Sequence, residues 1–374
     1  MDKFTRKTSF EQWFSPISQI KLEELVEIHQ LNYYTKKLQM DSFLKLLLFA
    51  QLNETESMRD VHLKLFSDEL QQVTGLESIS FSQLGRRLNQ VSTEVFQQLF
   101  LDLVAQIHEK SQYEQRRKIT TPLKIIDSST LPLNLNNHKW AEFRQTKSGI
   151  KLHLRLIHVE KGRSYPDQAA LTNAVEHDHG QLELLVDDKE CMYVFDRGYL
   201  DYKQFDQMTD DGYFFVSRLR KNAAIRVMEE FKLPEESTVL TDEMILIGTT
   251  QNRAENYFRR IKVADTKGNE LQLITNRFDV SADEIAELYK SRWAIESFFR
   301  WIKQNLNVPV LFGTTENAVY SQLFAALVAY VLLKFLQTEG HKKKHCKRLS
   351  FAGFTRQLLC DTLPIEWRIG LKEI

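Results

Sequence analysis

Proline is scarce in this chain, cysteine scarcer, and net charge is absent: seven prolines, three cysteines, and 50 basic against 50 acidic residues among 374. No proline falls within residues 21–117, and Gly75 is the only glycine there before Gly85. The pattern along that stretch is helical. Cys191, Cys346 and Cys360 have neither metal-ligand spacing nor the even number of a disulfide framework, which suits a reducing cytoplasm. Balanced charge gives no sign of a polyanionic partner at the level of the whole chain, so only local patches can supply one. Long apolar runs are missing too. The most apolar, LFAALVAYVLL from Leu323 to Leu333 and bounded by Lys334, is about half the ~20 residues needed to cross a bilayer. It is expected to be a buried helix of a soluble, cytoplasmic protein with no membrane partner. The opening MDKFTRKTSFEQWFSP has no apolar core of signal-peptide length.

What is present divides along the chain, whose length predicts two or three domains and a substantial core. Residues 1–118 are expected to form a helical domain, with FLKLLLFAQL as a core segment. ISFSQLGRRLNQVS predicts a short helix capped by Ser80 after a break at Thr74 and Gly75, with Arg86 and Arg87 placed to face a phosphate backbone. After the charged stretch EQRRKITTP the character changes. PLKIID, KLHLRLIHV, CMYVFD and YFFVSRL read as strands and QFDQM as a helix, which argues for an α/β layer over residues 119–337. Within it residues 221–276 turn β-rich: DEMILIG, then YFRRIKVAD and LQLIT joined by the turn TKGNE. Residues 338–374 form a basic C-terminal segment containing HKKKHCKR.

The stretch YKSRWAIESFFRWIKQNL sets Tyr289, Arg292, Glu296 and Lys303 three, four and seven positions apart. On one α-helix, at about 100° per residue, all of them fall within a narrow arc. A Glu and an Arg four apart are ordinarily a solvated pair worth a few tenths of a kcal/mol. The helix is predicted to start at Ser281, with Glu284 completing a capping box, and to run without Pro or Gly to Pro309. Ile285, Leu288, Ile295, Phe298, Phe299, Ile302 and Leu306 give it an apolar stripe, which puts Glu296 at the edge of a core.

Asp127 closes the predicted strand KIID, and Asp196 closes MYVFD just before RGY. Either one alone is ordinarily a turn former. Two carboxylates at strand ends and one on a helix can instead converge beside a sheet, and hard oxygen donors suit Mg²⁺ held with water and substrate phosphates. A pair of such ions serves phosphodiester displacement. Paired carboxylates also serve glycosidases, but Arg292, Arg300 and Lys303 flanking Glu296 suit a phosphate better than a neutral sugar.

The Tyr289, Arg292, Glu296, Lys303 spacing, with Asp127 in DSST and Asp196 in DRGY, resembles the DDE transposases of bacterial insertion sequences, specifically insertion sequence family four with its YREK signature. The resemblance runs from Leu123 to Leu306; the N-terminal region matches by position and helical character only. It implies an RNase H-like catalytic core interrupted by a β-rich insertion, with an N-terminal all-helical DNA-binding domain. By that resemblance Asp127, Asp196 and Glu296 ligate two Mg²⁺ ions, with Mn²⁺ able to substitute. Tyr289, Arg292, Arg300 and Lys303 hold DNA. The implied activity is cut-and-paste transposition, with the element's terminal inverted repeats and target DNA as partners, a homodimeric synaptic complex and nucleoid association. Related transposases stack a flipped base on a tryptophan in the β insertion. None stands there in this chain, leaving Phe231, Tyr257 and Phe258, which are otherwise ordinary core aromatics. The alternatives are a domesticated, non-catalytic DNA-binding derivative, favoured by loss of any of the three acids, and a carbohydrate-active enzyme, which leaves the Tyr289, Arg292, Lys303 stripe unexplained.

Overall fold

The structure, a computed structural model, describes residues 14, 16–17, 19–53, 55–115, 122–160, 163–176, 178–265, 267–306, 308 and 310–372. Most of the opening segment, the first predicted domain boundary near 118, and Pro309 lie outside them. The chain divides into two compact units, one of Met1–Arg117, Asn136–Trp140 and Arg300–Ile374, the other of Lys118–Leu135 and Ala141–Phe299.

The first unit begins with helices α1 (Gln19–Ile28), α2 (Met40–Leu52), α3 (Met58–Lys64), α4 (Asp68–Thr74), α5 (Phe81–Gln90) and α6 (Thr93–Gln115). Serines start three of them: Ser57, Ser67 and Ser80 accept from the amides of Asp60, Leu70 and Gln83, and Gln83 answers Ser80 in a full capping box. Gly75, at φ 66°, ends α4 in the left-handed conformation that a side chain resists. On α5 the expectation for the two arginines divides. Arg86 is exposed, but Arg87 shares the inward face of Leu84 and Leu88 and is buried. Its guanidinium donates to Thr35 Oγ1 at 3.5 Å and Asn32 Oδ1 at 3.4 Å, so it holds the fold together and does not face a phosphate backbone.

The second unit carries a sheet of strands β1 (Leu123–Leu133), β2 (Glu142–Arg144), β3 (Lys147–Glu160), β4 (Arg163–Asn173), β5 (Met192–Phe195), β6 (Phe214–Arg218), β7 (Ile225–Glu230), β8 (Val239–Thr249), β9 (Asn252–Arg253), β10 (Phe258–Ala264) and β11 (Glu270–Thr275). Helices α7 (Leu182–Leu185) and α8 (Tyr202–Asp210) flank β5, while α9 (Ala282–Lys290) and α10 (Trp293–Asn305) follow β11. The path is β2-β3-β1-β5-β6-β11-β10-β8-β7, with β4 added on β3 and β9 on β8. β3 runs antiparallel to β1 and β4, whereas β1, β5 and β6 are mutually parallel. The β-rich segment does not make a separate sheet. β11 pairs with β6, so its strands extend the parallel layer outward. β10 and β11 form the hairpin expected at TKGNE, turning at Gly268 with φ 79°. Phe195, Phe205, Phe215 and Phe258, all fully buried, pack with Tyr193, Ile245 and Ile274 between the sheet and α8. Each buried phenylalanine contributes about 1.5–3 kcal/mol.

Helices α11 (Glu316–Lys342), α12 (Phe351–Leu359) and α13 (Ile365–Lys372) return to the first unit. α11 packs against α2, α5 and α6, and Asn317 donates to Val91 O at 2.8 Å while accepting from the Thr93 amide at 3.0 Å. The apolar run is longer than Lys334 suggests, because that lysine is itself buried, donating to Gln337 Oε1 at 3.3 Å beside the Phe351 ring. By length and composition α11 could cross a membrane, but 94% of its apolar window is covered by its own chain, as in a core helix. The HKKKHCKR segment links α11 to α12 as a pinned loop: Trp367 Nε1 donates to Lys347 O at 2.9 Å and Gln337 Nε2 to Leu349 O at 2.8 Å. Lys344, Lys347 and Arg348 are exposed on it.

Candidate active site

Asp127, Asp196, Tyr289, Arg292 and Glu296 all fall in the sheet-bearing unit. Asp127 does not close its strand, as the sequence suggested. β1 continues to Leu133 in its pairing with β3, while its parallel pairing with β5 stops at Ile126↔Phe195. Asp127 is the first residue past that pairing, and Asp196 is the first residue past β5. The two carboxylates therefore leave neighbouring parallel strands at the same level, at the carboxyl ends where α/β sheets place their ligands.

Glu296 arrives from the other side of the chain, in the first turn of α10. The single helix predicted from Ser281 is two helices. Ser281 does cap α9, accepting from the Glu284 amide at 3.2 Å. At Ser291 and Arg292 the bonding then tightens: Arg292 N donates to Tyr289 O at 3.1 Å, and Ile295 N to Arg292 O at 3.2 Å. No proline or glycine marks this turn, so nothing local in the sequence announces it. Tyr289 consequently lies in the last turn of α9 and does not share a rigid helix with Glu296.

Arg292 occupies the turn and joins two acids. Its Nη1 donates to Asp127 Oδ2 at 3.2 Å and its Nη2 to Glu296 Oε1 at 2.5 Å. The spacing of four to Glu296 was legible; the reach to Asp127 was not. Arg292 was expected to grip DNA, and in this structure its guanidinium is spent on carboxylates. Tyr289 completes the group, with the Arg292 guanidinium 5.9 Å from its ring centroid.

The electrostatics record the crowding. Burial pushes the Asp127 carboxyl up to about 6; the Ser128 amide and Arg292 oppose the rise, and Asp196 and Glu296 add to it. Burial also raises the Tyr289 phenol, with Arg292 opposing and Asp196 adding. Burial pulls Arg292 down, but Tyr289, Asp127, Glu296 and Asp196 outweigh it and hold the guanidinium above its ordinary value. The three acids and Arg292 thus feel one another.

Hard carboxylate donors and an excess of negative charge on a half-hidden surface fit a divalent cation. Among the described residues, no group of three or more His, Cys, Asp and Glu is gathered closely enough to hold one. Arg292 stands between Asp127 and Glu296 and must give way for an ion to bridge them. Arg300 and Lys303 are exposed further along α10, in the other compact unit, and desolvation draws the Lys303 ammonium below its ordinary value. Of the insertion's aromatics, Phe258 is fully buried in the core, Phe231 packs against Phe278 and Arg259, and Tyr257 is exposed.

Comparison with known proteins gives the family of the chain. Residues 119–332 match the family Transposase DDE domain, and residues 5–74 match a domain of unknown function, DUF4372. A Geobacillus stearothermophilus protein named as transposase for insertion sequence element IS5377 is 33% identical over 79% of this chain and 78% of its own. A Sinorhizobium fredii protein named as transposase y4zB is 30% identical over 64% of this chain and 67% of its own. A Synechocystis protein named as transposase for insertion sequence element IS4SA is 23% identical over 78% of this chain and 81% of its own. A cryo-EM structure of a piggyBac transposase synaptic complex with hairpin DNA superposes with a TM-score of 0.47 at 10% identity, over 97% of this chain and 81% of that one, too loosely to carry an argument. A family match over more than half of the chain, and a relative one-third identical along most of both lengths, establish that the chain belongs to the DDE transposases, metal-dependent enzymes that move DNA.

Proposed function

We propose that the chain is a cut-and-paste transposase of insertion sequence family four, in which Tyr289, Arg292, Glu296 and Lys303 form the YREK signature. It acts on the terminal inverted repeats of its element and then on target DNA. The observation that carries this reading is the Arg292 bridge, which links Asp127, at the end of a parallel strand pairing, to Glu296, 169 positions later in the first turn of a helix. The strand order β4-β3-β1-β5-β6, with β3 antiparallel to both of its neighbours and the last three strands parallel, supports an RNase H-like core that β7–β11 extend before the last catalytic helix.

Asp127, Asp196 and Glu296 would hold two Mg²⁺ ions, or Mn²⁺ in their place. Bound there, the ions would activate a water and stabilise the leaving oxygen of a phosphodiester. The chain's own residues prepare that chemistry. Arg292 neutralises Asp127 and Glu296 while no ion is bound, and once released it becomes a planar donor for a phosphate. Lys303 and Arg300 hold the strand beside the scissile bond, and Tyr289 supports Arg292. The helical region ahead of β1 recognises the ends, two copies of the chain form the synaptic complex, and the enzyme works on the cytoplasmic nucleoid.

The test is excision. Short inverted repeats should bracket the gene, and purified protein with Mg²⁺ should release a marked element bearing them from a plasmid. Binding to those repeats without any strand cleavage would instead assign a non-catalytic DNA-binding role.

A further inference from the structure

Asp178 opens a short 3₁₀ turn, Asp178–Gln181, shortly after β4, and the sequence does not single it out. Its Oδ1 accepts from Ser128 Oγ at 2.8 Å and meets Lys151 Nζ at 3.2 Å. Lys151 in turn donates to Glu176 O at 2.8 Å, which ties the turn back to β3. The fully buried His153 faces the same oxygen with Nδ1 at 3.7 Å, while its Nε2 meets Thr172 Oγ1 at 2.9 Å. The other oxygen of Asp178 faces Gly198, where an added Cβ would stand 3.2 Å from it, and the turn Asp178–Gln181 packs against the turn that contains Gly198.

Those contacts fall on the segments that carry the two aspartates. Ser128 follows Asp127 directly, and its amide donates to Asp127 Oδ1 at 2.8 Å. Gly198 stands two residues after Asp196, in the 3₁₀ turn Arg197–Tyr199. Ser128 lies opposite His153 in the β1–β3 register, so Asp178 is braced from the strand next to the one it holds. One side chain therefore bonds the residue after Asp127 and faces the turn that follows Asp196.

We propose that Asp178 is a positioning residue that fixes the separation of Asp127 and Asp196, and through it the affinity of those acids for a divalent ion. The inference rests on the reading that these acids hold such an ion. Mg²⁺ and Mn²⁺ tolerate little error in donor placement, and partners one step behind a metal ligand typically set about 10- to 100-fold in affinity.

The experiment is calorimetric titration of the intact, DNA-free protein with Mn²⁺, comparing wild type with Asp127→Asn, Asp178→Ala, Asp178→Asn and Ser128→Ala. Circular dichroism and binding to end DNA check the fold. Asp178→Ala is expected to weaken Mn²⁺ binding about 10- to 100-fold, with Asp178→Asn, which keeps the acceptor, recovering part of the loss. Ser128→Ala cuts the link to β1, leaves the Lys151 pair intact and should fall between. In cleavage assays the Mn²⁺ midpoint should move upward while the rate at saturating Mn²⁺ returns toward wild type. A lower melting temperature with an unchanged midpoint would reduce Asp178 to a structural residue and overturn the proposal. If Asp178→Ala does not fold, wild-type Mn²⁺ affinity in Ser128→Ala overturns it equally. Wild-type protein lacking saturable Mn²⁺ binding that Asp127→Asn removes would sink the metal reading and this inference together.

Discussion

Replacing Asp127 with Asn should stabilise the metal-free protein while destroying its activity. A carboxyl held at about 6 against an ordinary 3.8 is harder to ionise in the folded state. Fully ionised, it costs the fold about 3 kcal/mol. Because the folded value is the higher one, stability falls as pH rises from about 4, and the loss is complete a little above pH 6. At pH 5 about half of it is present. The amide carries no charge to desolvate, and it no longer sits beside the charges of Asp196 and Glu296. Against this, the side chain is 19% exposed, which screens the cost. A net gain of about 1–2 kcal/mol at pH 7.5 remains, worth a few degrees in melting temperature. Thermal melts in chelating buffer at pH 7.5 and pH 5 measure it, and the gain should shrink at the lower pH. Asp265→Asn is the control of opposite sign, since the Asn269 side chain and neighbouring amides hold that carboxyl below its ordinary range, so it should bring no gain. An Asp127→Asn protein melting at or below the wild-type temperature at pH 7.5, or gaining more at pH 5, would refute the reasoning.

Lys303→Ala should fold normally yet cleave at least ten times more slowly, because misplacing a scissile bond can cost about 100-fold; Lys303→Arg should recover only part. Lys290→Ala is the comparison, since Lys290 makes an exposed pair with Glu287 of the kind worth under about 1 kcal/mol. Equal single-turnover rates on a pre-nicked end would return Lys303 to an ordinary solvated charge. A fragment ending near residue 118 should fail to fold on its own, because it leaves α2 and α6 without the α11 face that buries them. Cooperative melting of that fragment would contradict this. Arg86→Ala should weaken binding to end DNA and lower its salt dependence in the intact protein. Arg87→Ala should instead lower stability, by loss of its buried bonds to Thr35 and Asn32. The reverse pattern would exchange their roles.

Local chemistry made much of this fold readable. Alternating and β-branched runs marked β1, β3, β5, β6 and the β10–β11 hairpin, and Ser80 as a cap announced α5. What stayed hidden depends on distant partners. β1 outlasts Asp127 because β3 goes on pairing with it after β5 stops. α11 outlasts Lys334 because that amine finds Gln337 inside the core. The break between α9 and α10 has no proline or glycine to betray it. Arg87 was a nearer miss: it lies three residues after Leu84 and one before Leu88, so helical periodicity alone turns it inward. At the candidate site the sequence offered the acids and their flanking bases, and the pair of Arg292 with Glu296 is built into their spacing. The bond from Arg292 to Asp127 could not be read, since it exists only once a strand and an interhelical turn 165 positions apart are brought together.

Strand nicking on a duplex bearing the element's own terminal repeat tests the central claim most directly. Wild type, Asp127→Asn, Asp196→Asn and Glu296→Gln are compared in Mg²⁺, with binding to the same duplex followed in parallel. If these acids hold the ions that drive phosphoryl transfer, every variant binds the end while only wild type cuts it, and chelation silences wild type as well. Cleavage by any of the variants at near the wild-type rate, or by wild type in chelator, would contradict it.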